Sequence, residues 1–165
     1  MIERNEKELH GLYECVKMCK CFHTITSTKY SEHSEQYDIL LNENIYIEVK
    51  NRKIIDKHQF LNYIEQGWMI QEDKYNFLQT KKQSRYFNSI YFEGDFFILS
   101  FNVNKITFQE QHKELSTTSE FENKTKKDKT ITMLSTDYAK IYRRNWSEQH
   151  YKQITKEQLI KIINK

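Results

Sequence analysis

Residues Gln36 to Lys50 read QYDILLNENIYIEVK, and the reading of this stretch decides the fold class. Two short runs rich in Leu, Ile, Val and Tyr flank Asn42-Glu43-Asn44, a cluster of turn-forming residues. That pattern predicts an antiparallel hairpin with strands over 36–41 and 45–50. Folding it about Glu43 sets Leu41 against Ile45, Leu40 against Tyr46, Ile39 against Ile47 and Asp38 against Glu48. Side chains alternate between the faces of a strand. One face then holds Tyr37, Ile39, Leu41, Ile45, Ile47 and Val49 without a charge, and the other holds Asp38, Leu40, Tyr46, Glu48 and Lys50. A three-residue turn needs a residue at positive φ, and Asn44 is the expected one.

The register brings two carboxylates directly opposite, with Cβ atoms about 4.5–5.5 Å apart. Like charges so placed repel, and a divalent cation is the simplest remedy, since Mg²⁺ is held by one or two carboxylates together with waters and phosphate oxygens. Lys50 follows Glu48 on the same face, where an ammonium is suited to orienting a water or neutralising charge on a phosphorane. The spacing therefore suits metal-assisted hydrolysis of a phosphodiester. The plainer alternative is an amphipathic hairpin with a solvated, charged face. Leu40 and Tyr46 count against it, because they make that face partly apolar, as a pocket wall is.

Working outward, apolar residues at helical spacing predict a helix over 2–20. Residues 21–29 read as a strand, and 55–83 as two helices broken at Gly67. Tyr86–Phe92 and Phe96–Val103 read as a strand pair turning at Glu93-Gly94-Asp95. The polar stretch 109–130 reads as a surface loop, followed by a strand at Thr130–Leu134, a helix from about Thr136 capped by Ser135 or Thr136, and a helical tail, KEQLIKIINK. The expected architecture is a single mixed α/β domain over 1–165, with a core over about 1–103 and a basic C-terminal extension over about 104–165.

Charge is segregated along the chain. Residues 1–49 balance to −4, 50–85 to +4, 86–123 to −4 and 124–165 to +7, within a total of +3. Blocks of opposite sign make local fields more informative than the sum. Three isolated glycines cannot form a phosphate-binding loop, which excludes P-loop and dinucleotide-binding chemistry. Cys15, Cys19 and Cys21 lack the paired spacing of a zinc site, and three clustered thiols are no disulfide framework. The charged N-terminal segment lacks a signal-peptide core, and no apolar run is long enough to span a bilayer. A cytoplasmic protein is the expectation.

The hairpin resembles the PD-(D/E)xK nuclease superfamily, in which an Asp on one strand is followed by Glu/Asp-x-Lys on the next. Here these are Asp38 and Glu48-Val49-Lys50. The resemblance covers about residues 1–103 and implies a restriction-endonuclease-like α-β-β-β-α-β core, with a mixed central sheet flanked by helices. It implies Asp38 and Glu48 as ligands of Mg²⁺ or Mn²⁺, the Val49 carbonyl as a third ligand and Lys50 as the catalytic lysine. A helix glutamate also belongs to many such sites; Glu6 is the candidate, with Glu3 and Glu14 as alternatives. Tyr37 stands where many members carry proline. The Gln-x-x-x-Tyr of RecB-like members has two matches, Gln59/Tyr63 and Gln71/Tyr75.

Basic residues interleaved with aromatics suit phosphate attraction and base stacking. Arg52, Lys53 and Lys57 follow the hairpin; Lys81, Lys82 and Arg85 form a second group. Lys124, Lys126, Lys127 and Lys129 precede the strand at 130, and Tyr142-Arg143-Arg144-Asn145-Trp146 closes the series. The resulting expectation is a metal-dependent nuclease acting on nucleic acid, with DNA favoured and branched or recombination intermediates within range. A homodimer is expected by analogy. The rival expectation is a catalytically inactive nuclease-fold module that binds nucleic acid or a protein partner.

Overall fold

The computed structural model describes residues 5–32, 36–106, 110–117 and 126–165. Helix α1 (Glu6–Phe22) starts at Asn5, whose side chain accepts the Glu8 N–H at 2.9 Å, and buries Leu12, Cys15, Val16 and Cys19 along one stripe. Three antiparallel strands follow: β1 (Thr28–Tyr30), β2 (Ile39–Leu41) and β3 (Ile45–Lys53). The chain then crosses over through α2 (Lys57–Gln66), β4 (Trp68–Gln71) and α3 (Glu72–Gln79) to β5 (Gln83–Phe92), which lies parallel to β3. Parallel neighbours require such a crossover.

Strand β6 (Asp95–Phe101) turns back from β5, and β7 (Glu110–Thr117) pairs with β8 (Lys126–Leu134). Strands β9 (Ala139–Asn145) and β10 (His150–Ile154) complete the central sheet before α4 (Lys156–Ile163). The result is an α/β protein whose seven-stranded mixed sheet runs β1-β2-β3-β5-β6-β9-β10, beside a three-stranded sheet β4-β8-β7. Among the described residues no helix is long and apolar enough to cross a membrane.

The central sheet is buried on both faces, which is why β6 reads FFILSF without alternation. Phe96 and Ile98 pack with Leu12, Ile39, Ile47 and Phe87 on the α1 side. Phe97, Leu99 and Phe101 pack with Phe60, Trp68, Leu78 and Leu159 beneath α2, α3 and α4.

Several expectations are corrected. Cys21 and Phe22 continue α1 rather than opening a strand, because the Phe22 ring lands 4.9 Å from Tyr142. A strand, β4, interrupts the helical region after Gly67: Trp68 and Ile70 alternate inward and pair with Leu134 and Thr132 of β8. Gly67 has φ 106°, and a Cβ there would sit 2.9 Å from the Leu134 carbonyl oxygen. The stretch read as a polar loop supplies β7 and most of β8, and 107–109 and 118–125 lie outside the described residues. No helix starts at Thr136. A single 3-10 turn (Thr136–Tyr138) is pinned by the buried Thr136 hydroxyl, which accepts the Trp68 Nε1–H at 2.9 Å and donates to the Ile64 carbonyl at 2.8 Å. Ala139 onward then pairs with β6.

Helix α1 crosses β3 closely at Gly11, where a Cβ would lie 2.0 Å from Asn51 Oδ1. Gly11→Ala is therefore expected to destabilise the fold by about 1–3 kcal/mol. Asn51→Ala in the same chain should recover part of that loss. Urea unfolding of the two single variants and the double variant checks this; additive losses would contradict the close approach.

Candidate active site

The register anticipated for the hairpin is the one observed, with Ile39 opposite Ile47, Leu40 opposite Tyr46 and Leu41 opposite Ile45. The turn differs in detail, since Asn42 (φ 52°) and Glu43 (φ 63°) take the positive angles rather than Asn44. Asn42 is held there by its own side chain, whose Oδ1 accepts the Thr26 N–H at 2.7 Å and whose Nδ2 donates to the Thr24 carbonyl at 3.0 Å.

Pairing of β2 with β3 ends just beyond Ile39. There the Asp38 N–H donates to the Ile47 carbonyl at 2.8 Å, and the Asp38 Oδ2 accepts the Val49 N–H at 2.7 Å. The carboxylate thus stands in for the backbone partner that β2 no longer offers. Glu48, two residues beyond Tyr46 on the face toward α2 and α3, is 6% exposed. Lys74 of α3 reaches down to it, with Nζ 2.5 Å from Oε1. Burial first, and then the nearby Asp38 carboxylate, push the Glu48 acid up to about 8 against the pull of Lys74. Burial also works against the Lys74 charge, but Glu48, with Asp38 and Asp73 behind it, outweighs that and raises its pKa. The two acids expected to face one another do so, and an ammonium sits upon one of them.

The same face of β3 continues into Lys50 and Arg52. Burial lowers the Lys50 ammonium pKa, with Arg52 and Lys74 adding to the effect and Glu48 and Glu8 opposing it. Arg52 donates from Nε to Asn88 Oδ1 at 2.8 Å, and its guanidinium lies 5.0 Å from the Tyr63 ring centroid. That bond fixes the Asn88 carboxamide, leaving its fully buried Nδ2 without a partner among the described residues. At the other end of the row, Tyr46 packs edge-on to Phe77, and Lys81 Nζ lies 4.7 Å from both ring centroids. Tyr46 therefore forms a wall of the site.

The remaining sequence candidates are spread more widely. Glu6 is exposed and lines a groove of about 810 Å³ with His10, Lys53 and Tyr91. Glu14 is buried but faces the opposite side of the sheet, bonded to the Tyr151 hydroxyl and 3.4 Å from Arg144 Nε. Glu3 lies outside the described residues. The helix acid whose charge reaches Lys50 is Glu8, which the sequence reading passed over; starting the helix at Glu6 rather than Ile2 is the signal that would have brought it forward. Val49 is half-buried, its side chain packed against the α1 cluster. Of the two Gln-x-x-x-Tyr pairs, Tyr63 lies beside Arg52, whereas Tyr75 is buried with its hydroxyl toward the Ile106 carbonyl.

Among the basic candidates, Lys53, Lys57 and Lys82 are exposed and Lys81 is half-buried on its two rings. Arg85 lies on the α1 side and donates to the Ser84 carbonyl at 2.8 Å. Arg143 is paired with Asp95 through two bonds, of 3.0 and 2.9 Å. Arg144 is 4% exposed and committed to Glu14 and Gln149. Lys124 and the side chains of Lys126, Lys127 and Lys129 lie outside the described residues. Besides Glu8, Lys74 and Asn88 are the site residues that sequence reasoning missed, since neither belongs to a short-range pattern. Among the described residues no group of three or more His, Cys, Asp or Glu side chains converges as a ready-made metal cage.

No family model matches the chain, and no curated protein or solved structure matches it.

Glu48 ionises at its ordinary value, near 4.5, when unfolded and at about 8 when folded. The folded chain therefore holds the extra proton between these values, and stability falls as pH rises through that window. Glu48→Gln has no such group, so its stability relative to the parent should rise by at least about 1 kcal/mol from pH 4.5 to 8.5. Parallel pH profiles in chemical denaturation would contradict this. Asp38→Ala should cost about 1–3 kcal/mol by orphaning the Val49 N–H, whereas Asp38→Asn, which keeps an acceptor, should cost much less.

Proposed function

We propose that the chain is a metal-dependent nuclease that hydrolyses phosphodiester bonds of nucleic acid, with DNA the favoured substrate and Mg²⁺ or Mn²⁺ the cofactor. The observation that carries this reading is the meeting of Asp38 and Glu48 where the β2–β3 pairing ends, with Lys50 next on the same face. The order α1-β1-β2-β3-α2 leading to a strand parallel to β3 supports the PD-(D/E)xK resemblance.

The donor set fits a hard divalent cation: two carboxylates, with the Val49 carbonyl as the further ligand that the resemblance implies. Asp38 and Glu48 would hold the ion, which when bound supplies charge neutralisation at the phosphate and a more acidic water. Lys74 must leave Glu48 for this, and its flexible four-carbon stem allows it. Lys50 then orients the attacking water or offsets charge building on the phosphate oxygens. Arg52, fixed by Asn88 and Tyr63, holds positive potential beside the strand being cut.

A second reading, a nuclease-fold module that binds without cutting, is favoured by Lys74 itself, since an ammonium on Glu48 already supplies the missing positive charge. The two readings part on cleavage. Plasmid, branched DNA and RNA incubated with Mg²⁺ or Mn²⁺ should be cut by the parent chain. Asp38→Asn and Lys50→Ala should cut at least about 10²-fold more slowly while melting as the parent does. Cleavage surviving in both variants would overturn the catalytic assignment, and a parent chain that binds but never cuts would establish the second reading.

A further inference from the structure

The hairpin uses little of the strongly basic C-terminal block, and the two arginines expected there to touch nucleic acid are tied up by Asp95 and Glu14. What their neighbours form is a groove of about 650 Å³ between the β9–β10 hairpin and α4. Its floor is apolar, from Ile154 and Ile162, and its rim carries Lys152, Lys161 and Lys165. All three lysines are exposed and have no acidic partner among the described residues. Among the described residues Asp95 is the one acidic side chain lining the groove, and Arg143 already neutralises it. Lys152 and Lys161, with the Lys165 side chain beside them, therefore leave the groove cationic.

Trp146 stands at its edge, 41% exposed, in contrast to Trp68, which is fully buried. The indole is held rather than loose. Its Nε1 donates to the Gly94 carbonyl at 3.3 Å, and the Arg144 guanidinium lies 5.0 Å from its ring centroid. Arg144 in turn is anchored by Glu14 and Gln149, so the buried ion pair acts as a bracket for an exposed aromatic plane. A fixed, flat ring beside unpaired lysines is what binds a single polynucleotide strand: the ring stacks a base whatever its identity, and the ammoniums follow the phosphates. A membrane surface or a phosphorylated peptide would be drawn by the same charge but has no base to stack on the indole.

We propose that this groove binds a single-stranded polynucleotide through Lys152, Lys161 and Lys165, with a base stacked on Trp146. The inference extends the nucleic-acid reading above and does not require that the hairpin cut anything. The groove borders the Glu93-Gly94-Asp95 turn through Asp95, and Glu93 and Gly94 line the groove of Glu6 and Lys53 on the other side of that turn.

The test is binding of a fluorescein-labelled 20-nucleotide single-stranded DNA to the full chain in EDTA, followed by anisotropy and by tryptophan emission. Without divalent cation the readout is blind to cleavage; cutting of the same oligonucleotide in Mn²⁺ reports separately on the hairpin. The parent should bind with quenching of the exposed indole. K152E/K161E should weaken binding at least tenfold and flatten the plot of log K against log salt by about 1.4, at about 0.7 per phosphate contact. Trp146→Ala should weaken binding about fivefold or more with little change in that slope, and Trp146→Phe should restore most of the affinity. Variants are compared only where circular dichroism and melting match the parent. Binding unchanged in K152E/K161E, absence of oligonucleotide binding, or preference for anionic vesicles or a phosphopeptide over the oligonucleotide would each overturn the proposal.

Discussion

Two carboxylates held face to face where the β2–β3 pairing ends are the constraint to which the rest of the molecule responds. The β2–β3 register leaves Asp38 no choice of neighbour: its backbone bonds Ile47, its carboxylate takes the Val49 N–H, and Glu48 lies between. Burial alone would favour a neutral Glu48, and Asp38 adds to that pressure. The surroundings answer with positive charge, placing Lys74 on Glu48 and Lys50 and Arg52 along the same strand face. A structural ion pair and a metal site are both solutions to this problem. What separates them is whether Lys74 is a permanent partner or an occupant that gives way.

The sheet is built to keep that pair in place. β3 is fixed on one side by β2 and on the other by nine consecutive residues paired with β5. Gly11 lets α1 press onto Asn51 from behind, while Phe60, Trp68 and Leu78 carry α2 and α3 against the front. The crossover from β3 to β5 has a functional side effect: it swings α3 over the carboxylates and delivers Lys74 and Phe77 to the site. Residues on strands and helices packed this way hold their geometry better than residues on loops.

The hairpin was legible because its chemistry is local. Alternation, a polar turn and the place of Asp38 opposite Glu48 all lie within fifteen residues, and period two leaves one register that hides Ile39, Leu41, Ile45 and Ile47 together. Elements defined by distant partners were not legible. β4 is four residues long and becomes a strand only because β8 lies beside it, and β9, which the sequence reads as part of a helix, is a strand that hides Arg144 because Glu14 from α1 offsets its buried charge. The same limit applies to the site. Lys74, Glu8 and Asn88 reach it from other elements, and no spacing rule connects Glu48 to a lysine 26 positions on.

The central claim is that Asp38 and Glu48 form a cation site rather than a pair satisfied for good by Lys74. Calorimetric titration of Mn²⁺ into the parent chain, Asp38→Asn and Glu48→Gln tests it most directly. The account predicts saturable binding near one ion per parent chain and its loss in each variant. Binding of equal strength in all three chains, or none in the parent, would contradict it.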